Sequence, residues 1–198
     1  MEFDERELIG GATCLDFVNT VGGIRGGASE DKLVGYGALL DWSAAAKTLP
    51  TATTRRLRDE AGRAPAEARR IHARAVDLRE ALHGALACAM KSRKPQARDL
   101  EILNAEVANA AAQRRLRPAA GGWRLEHEGE GARLDAPLWA VAESAAAVLV
   151  STELARLRKC ASETCGWLFL DQSKNASRRW CDMKGCGNRA KMRRFRGG

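Results

Sequence analysis

Four cysteines near the carboxyl end constrain this chain more than any other feature: Cys160-x4-Cys165, an interval of fifteen residues, then Cys181-x4-Cys186. Zinc takes four soft donors at tetrahedral corners about 2.3 Å away, and a short knuckle brings two thiolates to one side of the ion. A unit this small cannot bury enough apolar surface to fold unaided, so the metal supplies the missing free energy, on the order of 10–16 kcal/mol near neutral pH. Four free thiols or a redox couple would not explain two matched pairs, and redox pairs favour a two-residue gap. An iron–sulfur cluster is the rival occupant. The expectation is one Zn²⁺, structural, because four protein thiolates leave no open position for a reacting water.

Between the pairs, Gly166-Trp167-Leu168-Phe169-Leu170-Asp171 has strand character, with its aromatics alternating onto one face. Gly187 to Arg196 suits a helix. Knuckle, strand pair and a helix whose first turn brings the last ligand form a treble-clef-like arrangement. Cys14 and Cys88 are solitary among apolar neighbours and read as small buried hydrophobes.

The charge is as localised as the cysteines. Residues 151–198 hold twelve Lys and Arg against four acids, the whole of the formal +8, and residues 1–150 are balanced. Four thiolates around one Zn²⁺ carry a net −2, which lowers the total to about +6 without changing its sign. Localised positive charge marks a polyanion partner or, in the plainer reading, a solvated basic tail. Arg178 and Arg179 precede the second knuckle; Asn188, Arg189, Lys191, Arg193, Arg194 and Arg196 follow it. On a helix, Arg189, Arg193 and Arg196 share a face. Arg forks grip phosphate or the guanine edge, and Asn does the same at adenine. DNA is the first choice of partner; the alternative is that some of these arginines neutralise thiolates and cap carbonyls, Arg189 first among them.

Upstream, the pattern is helical. Leu39, Leu40 and Trp42 mark a helix over Tyr36–Lys47. Ile71, Ala75, Leu78, Leu82, Ala85, Leu86 and Met90 give one buried face to Pro65–Lys91. Leu100, Leu103, Val107 and Ala111 repeat the pattern until Arg114, Arg115 and Arg117, a basic run suited to a helix carboxyl end. Trp123–Glu126 and Arg133–Asp135 read as a hairpin, and Pro137–Arg158 as a further helix with Asp135 placed to cap it. Ala12–Val21 fits a short helix or a strand, and the glycines at 22–27 a flexible connection. The fold class expected is mainly α with a small β hairpin (α+β): a mostly helical domain over 1–155, then the basic finger over 156–198.

These residues carry a resemblance. Leu168-Phe169-Leu170-Asp171, Ser177-Arg178-Arg179-Trp180-Cys181 and Cys186-Gly187-Asn188-Arg189-Ala190-Lys191 resemble the CGNR zinc-finger family. Cys14-Leu15-Asp16-Phe17-Val18-Asn19-Thr20, with Asp31-Lys32-Leu33 and Leu40-Asp41-Trp42, is similar to the ABATE domain that precedes that finger. The resemblance implies a bacterial, stress-induced transcription regulator whose finger binds DNA and whose upstream domain senses a ligand, couples or oligomerises. A homodimer and a small-molecule ligand are expectations of the same kind. The alternative function is an RNA-binding or protein-interaction module built on the same zinc site.

Asp16, Asn19, Thr20 and Arg25 place polar groups beside an apolar segment, and either line a small ligand pocket or brace backbone. For catalysis the sequence offers little. His72, His83 and His127 do not cluster, and neither a nucleophile elbow nor His-Glu-x-x-His occurs, so the expectation is a non-enzyme. The start Met1–Glu7 is too acidic to open a secretory signal, and the longest apolar stretch, Ala136–Val150, is too short to span a bilayer. A cytoplasmic protein without a membrane partner is expected.

Overall fold

The computed structural model describes residues 3–4 and 8–196. The chain runs α1 (Thr13–Val18), β1 (Val21–Gly23), β2 (Ser29–Asp31), α2 (Tyr36–Ala45), α3 (Thr51–Arg63), α4 (Pro65–Ala89) and α5 (Ala97–Ala112). It continues with β3 (Arg114–Ala119), β4 (Gly122–His127), α6 (Ala136–Val150), a 3-10 turn (Thr152–Arg156), β5 (Leu157–Lys159), β6 (Leu168–Leu170), a π turn (Met183–Gly187) and α7 (Asn188–Arg196). The strands form three antiparallel pairs, β1–β2, β3–β4 and β5–β6, around a helical body. No helix among the described residues is long and apolar enough to cross a membrane.

Helix α4 organises the body. Pro65 opens it with a φ already suited to a helix, and Ile71, Ala75, Leu78, Leu82, Ala85 and Leu86 are all buried on its predicted face. It packs against α1, α2, α5 and α6. Helix α6 adds Leu138, Trp139, Val141, Ala142, Ala145 and Val148 to the same core. Phe17 of α1 meets Trp42 of α2 edge-on, with ring centroids 4.9 Å apart. Cys14 is fully buried there, and burial pushes its thiol up to about 11, as suits an inert small hydrophobe; Cys88 is half-buried.

Five expectations are corrected. The basic run Arg114–Arg117 does not close α5: the helix ends at Ala112, and the run is strand β3. Its partner is β4, in register at Leu116↔Leu125 and Pro118↔Trp123, so the hairpin pairs Trp123–Glu126 with the residues before it and not with Arg133–Asp135. Carboxylates explain the change, since Glu143 pairs with Arg114 and Glu128 with Arg115 and Arg117, compensating them better than a helix end would. Helix α6 stops at Val150, where Ser151 turns extended and its hydroxyl donates to the Val148 carbonyl, which frees Leu157–Lys159 to become β5. Asp135 occupies the N-cap position of α6, yet its carboxylate binds Arg133 and Asn109 instead of helix amides. The glycine stretch at 22–27 is not a free connection but part of the β1–β2 hairpin, closed at Val21↔Asp31.

That hairpin is clamped to α4 by Arg79. Although only 2% exposed, Arg79 donates two hydrogen bonds to Asp31 at 2.7 Å each, one to Glu80 and one to the Thr20 hydroxyl. Beside the clamp lies His83, whose pKa is lowered to about 4, first by burial and then by Arg25 and Lys159 against the opposing Glu80. Its folded pKa is below the unfolded value of about 6.5, so the unfolded chain takes up the proton first as pH falls. Stability should therefore decline from about pH 6.5 through about pH 4. Replacing His83 by Gln should flatten that limb in thermal unfolding; an unchanged pH profile would remove His83 as its source.

Candidate metal centre and nucleic-acid surface

Strand β6 faces two ways. Leu168 and Leu170 join the helical core, while Phe169 between them joins a second cluster made of Cys160, Cys165, Cys181 and Cys186, with Ile9, Trp167 and Trp180 around it. Period-two alternation in a strand three residues long thus ties the cysteine centre to the body. Trp167 and Phe169, expected to share one face, do so, and that face is the one turned to the cysteines.

The first knuckle hangs from the β5–β6 hairpin. Cys160 N–H donates to the Trp167 carbonyl at 2.9 Å, and Cys165 N–H to the Ser162 carbonyl at 3.1 Å. Asp182 builds the second: its carboxylate accepts from Lys184 and Gly185 N–H, and its carbonyl from Gly187 N–H. A Cβ on Gly187 would lie 3.0 Å from the sulfur of the exposed Met183, which would have to shift to admit it. The four thiols lie within 4.8 Å of one another and are all buried. Two of the edges, Cys165–Cys181 at 3.7 Å and Cys181–Cys186 at 3.6 Å, match the edge of about 3.8 Å that a tetrahedron of 2.3 Å Zn–S bonds requires.

The donor set fits a dication. Hydrogen bonds from Cys165 and Cys181 hold the Cys160 thiol far below its ordinary range, and the same contacts push Cys165 up to about 12 and Cys181 higher still. Thiols packed this closely cannot all ionise without a cation among them. The protein tempers the remaining charge: Cys181 N–H donates to Cys160 Sγ at 3.4 Å, and Arg189 reaches Cys186 Sγ at 2.9 Å. The centre holds one structural zinc on Cys160, Cys165, Cys181 and Cys186, and four protein donors leave it no open position for a reacting water.

The basic residues separate by what they touch. Arg178 is a strut: it donates to the carbonyls of Trp180, Ile9 and Cys181 and covers the Phe169 ring at 4.4 Å. Arg189 serves the cysteine centre, and Asn188 donates to the Lys184 carbonyl within the turn it follows. Arg193 bridges back to the first knuckle, to Glu163 at 3.0 Å and Ser162 at 3.4 Å. Arg179, stacked over Trp180 at 5.2 Å, and Lys191 are exposed and have no carboxylate partner among the described residues. Lys184, which sequence reasoning did not single out, is a third exposed cation of this kind. Arg194 and Arg196 belong to α7, but their side chains lie outside the described residues.

The four polar residues near α1 are engaged with backbone. Asp16 accepts from Gly10 N–H at 2.8 Å, and burial raises its pKa to about 6 against that bond. Asn19 donates to the Leu168 carbonyl at 2.8 Å and accepts from Leu168 N–H at 2.9 Å. Thr20 donates to the Phe17 carbonyl, and Arg25 to the Val18 carbonyl and Glu80. Asn19 and the Gly10 carbonyl, which accepts from Leu170 N–H, close the edge of β6 that β5 leaves open. Trp167 Nε1 and Gly166 N–H add bonds to Val21 and Gly23 of β1. Gly166 is glycine for that close approach, since its Cβ would lie 2.7 Å from the Gly23 carbonyl oxygen.

Residues 11–152 match the ABATE family model, described as "Putative stress-induced transcription regulator". Residues 156–197 match the CGNR zinc-finger model. Comparison with curated proteins gives no match. With the first model spanning well over half its length and the second covering the cysteine centre, the chain belongs to the ABATE family and carries a carboxyl-terminal CGNR zinc finger.

Proposed function

We propose that the chain is a transcription regulator that binds duplex DNA through its zinc finger. The observation that carries this reading is a group of exposed cations around the metal-fixed turn and α7, Arg179, Lys184 and Lys191, that have no carboxylate partner among the described residues. Arg193 can join them, because its bond is to an exposed carboxylate, and such pairs are worth about 0–1 kcal/mol and exchange readily for phosphate. The metal does no chemistry in this reading; it fixes the helix that presents the charges. The helical body supplies the response. A cleft of about 350 Å³ lined by Glu60, Glu67, Arg70, Arg74, Asn109 and Arg133 offers a small ligand mixed charge. Asp16, Asn19, Thr20 and Arg25 support a non-enzymatic reading, since each is engaged with backbone.

Binding should weaken steeply with salt, by about 0.9 in log–log slope for each phosphate contacted. Changing Arg179, Lys184 and Lys191 together to Ala should lower that slope by roughly two to three and cut low-salt affinity at least about 100-fold. Zinc content should stay at one ion per chain. Fluorescence anisotropy with a duplex at several salt concentrations reads this out, and an unchanged affinity would overturn the reading. A finger that docks on RNA or protein is favoured instead by Met192 and Phe195, 51% and 85% exposed on α7. Preferential displacement of the duplex by structured RNA would select that second reading.

A further inference from the structure

We infer that the β3–β4 ribbon is the surface on which two copies of this chain dimerise. The register puts Leu116, Pro118, Trp123 and Leu125 on one face of the ribbon. At its base that face is covered, because Arg114 and His127 turn onto Glu143 of α6 and His127 lies against Trp139. Beyond the base, no described residue covers it: Leu116 is 67% exposed, Trp123 71% and Leu125 53%. A two-stranded ribbon is marginally stable alone and ordinarily packs such a face on something.

The chemistry of the surroundings selects the occupant. All four ribbon arginines carry carboxylates of their own chain: Arg114 with Glu143, Arg115 and Arg117 with Glu128, and Arg124 with Glu126. A polyanion or an acidic peptide would find no uncompensated charge there. What remains is a neutral apolar strip whose centre is a Leu–Leu cross-strand pair, a pattern that complements its own copy about a two-fold axis. The three large side chains expose on the order of 400 Å², about half of the 800 Å² that each partner contributes to a standard interface. Among the described residues no strand pairs with either edge of the ribbon, so a second copy can lie over the face and still meet strand edges.

The inference is independent of what the finger binds. Sedimentation equilibrium of the full zinc-loaded chain should give a dimer that dissociates on dilution. Leu116→Lys sets like charges against each other at the axis and should weaken dimerisation at least about 100-fold. Because Leu116 is exposed in the single chain, helicity and zinc content should not change. Trp123→Ser should act in the same direction, and Arg124→Ala, on the opposite face, should leave the dimer intact. A wild-type chain that is monomeric at every concentration would overturn the inference. So would Leu116→Lys and Trp123→Ser variants that dimerise as tightly as the parent.

Discussion

Removal of zinc by a strong chelator, or Cys186→Ser, should unfold residues 156–196 and lower the melting temperature of the helical body with them. A closed four-thiolate site contributes on the order of 10–16 kcal/mol, as much as the entire stability of a typical domain. Without the ion, Cys165 and Cys181 retain their protons and the knuckles lose the metal that joins them across fifteen residues, leaving weaker bonds such as Cys181 N–H to Cys160 Sγ and Arg193 to Glu163. The damage spreads because Leu157, Leu168 and Leu170 belong to the core built by α1, α4 and α6. Losing even several kcal/mol of that contact should shift the melting temperature by on the order of 10–20 °C for a chain of this size. Circular dichroism at increasing chelator, read beside a zinc-release dye, should show one coupled transition. A body that melts at its original temperature after the metal has left would show the finger to be an autonomous appendage.

What the sequence disclosed depends on the distance over which each interaction acts. The cysteine quartet is a local pattern with one chemical explanation, and the stripe on α4 repeats at a period that only a helix satisfies. Both are therefore readable before folding. Strand β3 is not, because a run of arginines after a helix satisfies the helix-end rule as well as it satisfies Glu128 and Glu143, and only the tertiary structure says which carboxylates arrive. The arginines of the finger show the same limit. Arg178 and Arg179 are neighbours of identical chemistry, yet one is fixed on the carbonyls of Ile9, Trp180 and Cys181 while the other is exposed over Trp180. Nothing local separates them; the partner Ile9 lies 169 positions away. Lys184 was missed for the opposite reason: it sits between the ligands of a knuckle, where the cysteines dominate the reading.

Asn19 is where the two halves of the molecule depend on a single side chain, and Asn19→Ala should be the most damaging substitution outside the metal ligands and the large core residues. The amide spans 149 positions to bracket both backbone groups of Leu168, and it is 4% exposed, so water cannot readily replace it. Alanine would leave one buried N–H and one buried carbonyl without partners, at about 1–3 kcal/mol each. A total near 4 kcal/mol corresponds to a fall of roughly 8–16 °C in melting temperature. The chemistry of the replacement tests the cause. In Asn19→Asp the carboxylate can still accept from Leu168 N–H, but it presents an acceptor to the Leu168 carbonyl where the amide presented a donor, so at most half of the loss should be recovered. Zinc should also leave both variants at lower chelator concentrations than the parent, because β6 carries Phe169 against the cysteines on the face opposite Leu168. An Asn19→Ala chain that melts within a degree or two of the parent and keeps its metal equally well would mean that β6 is held by β5 on one edge and Gly10 on the other without Asn19.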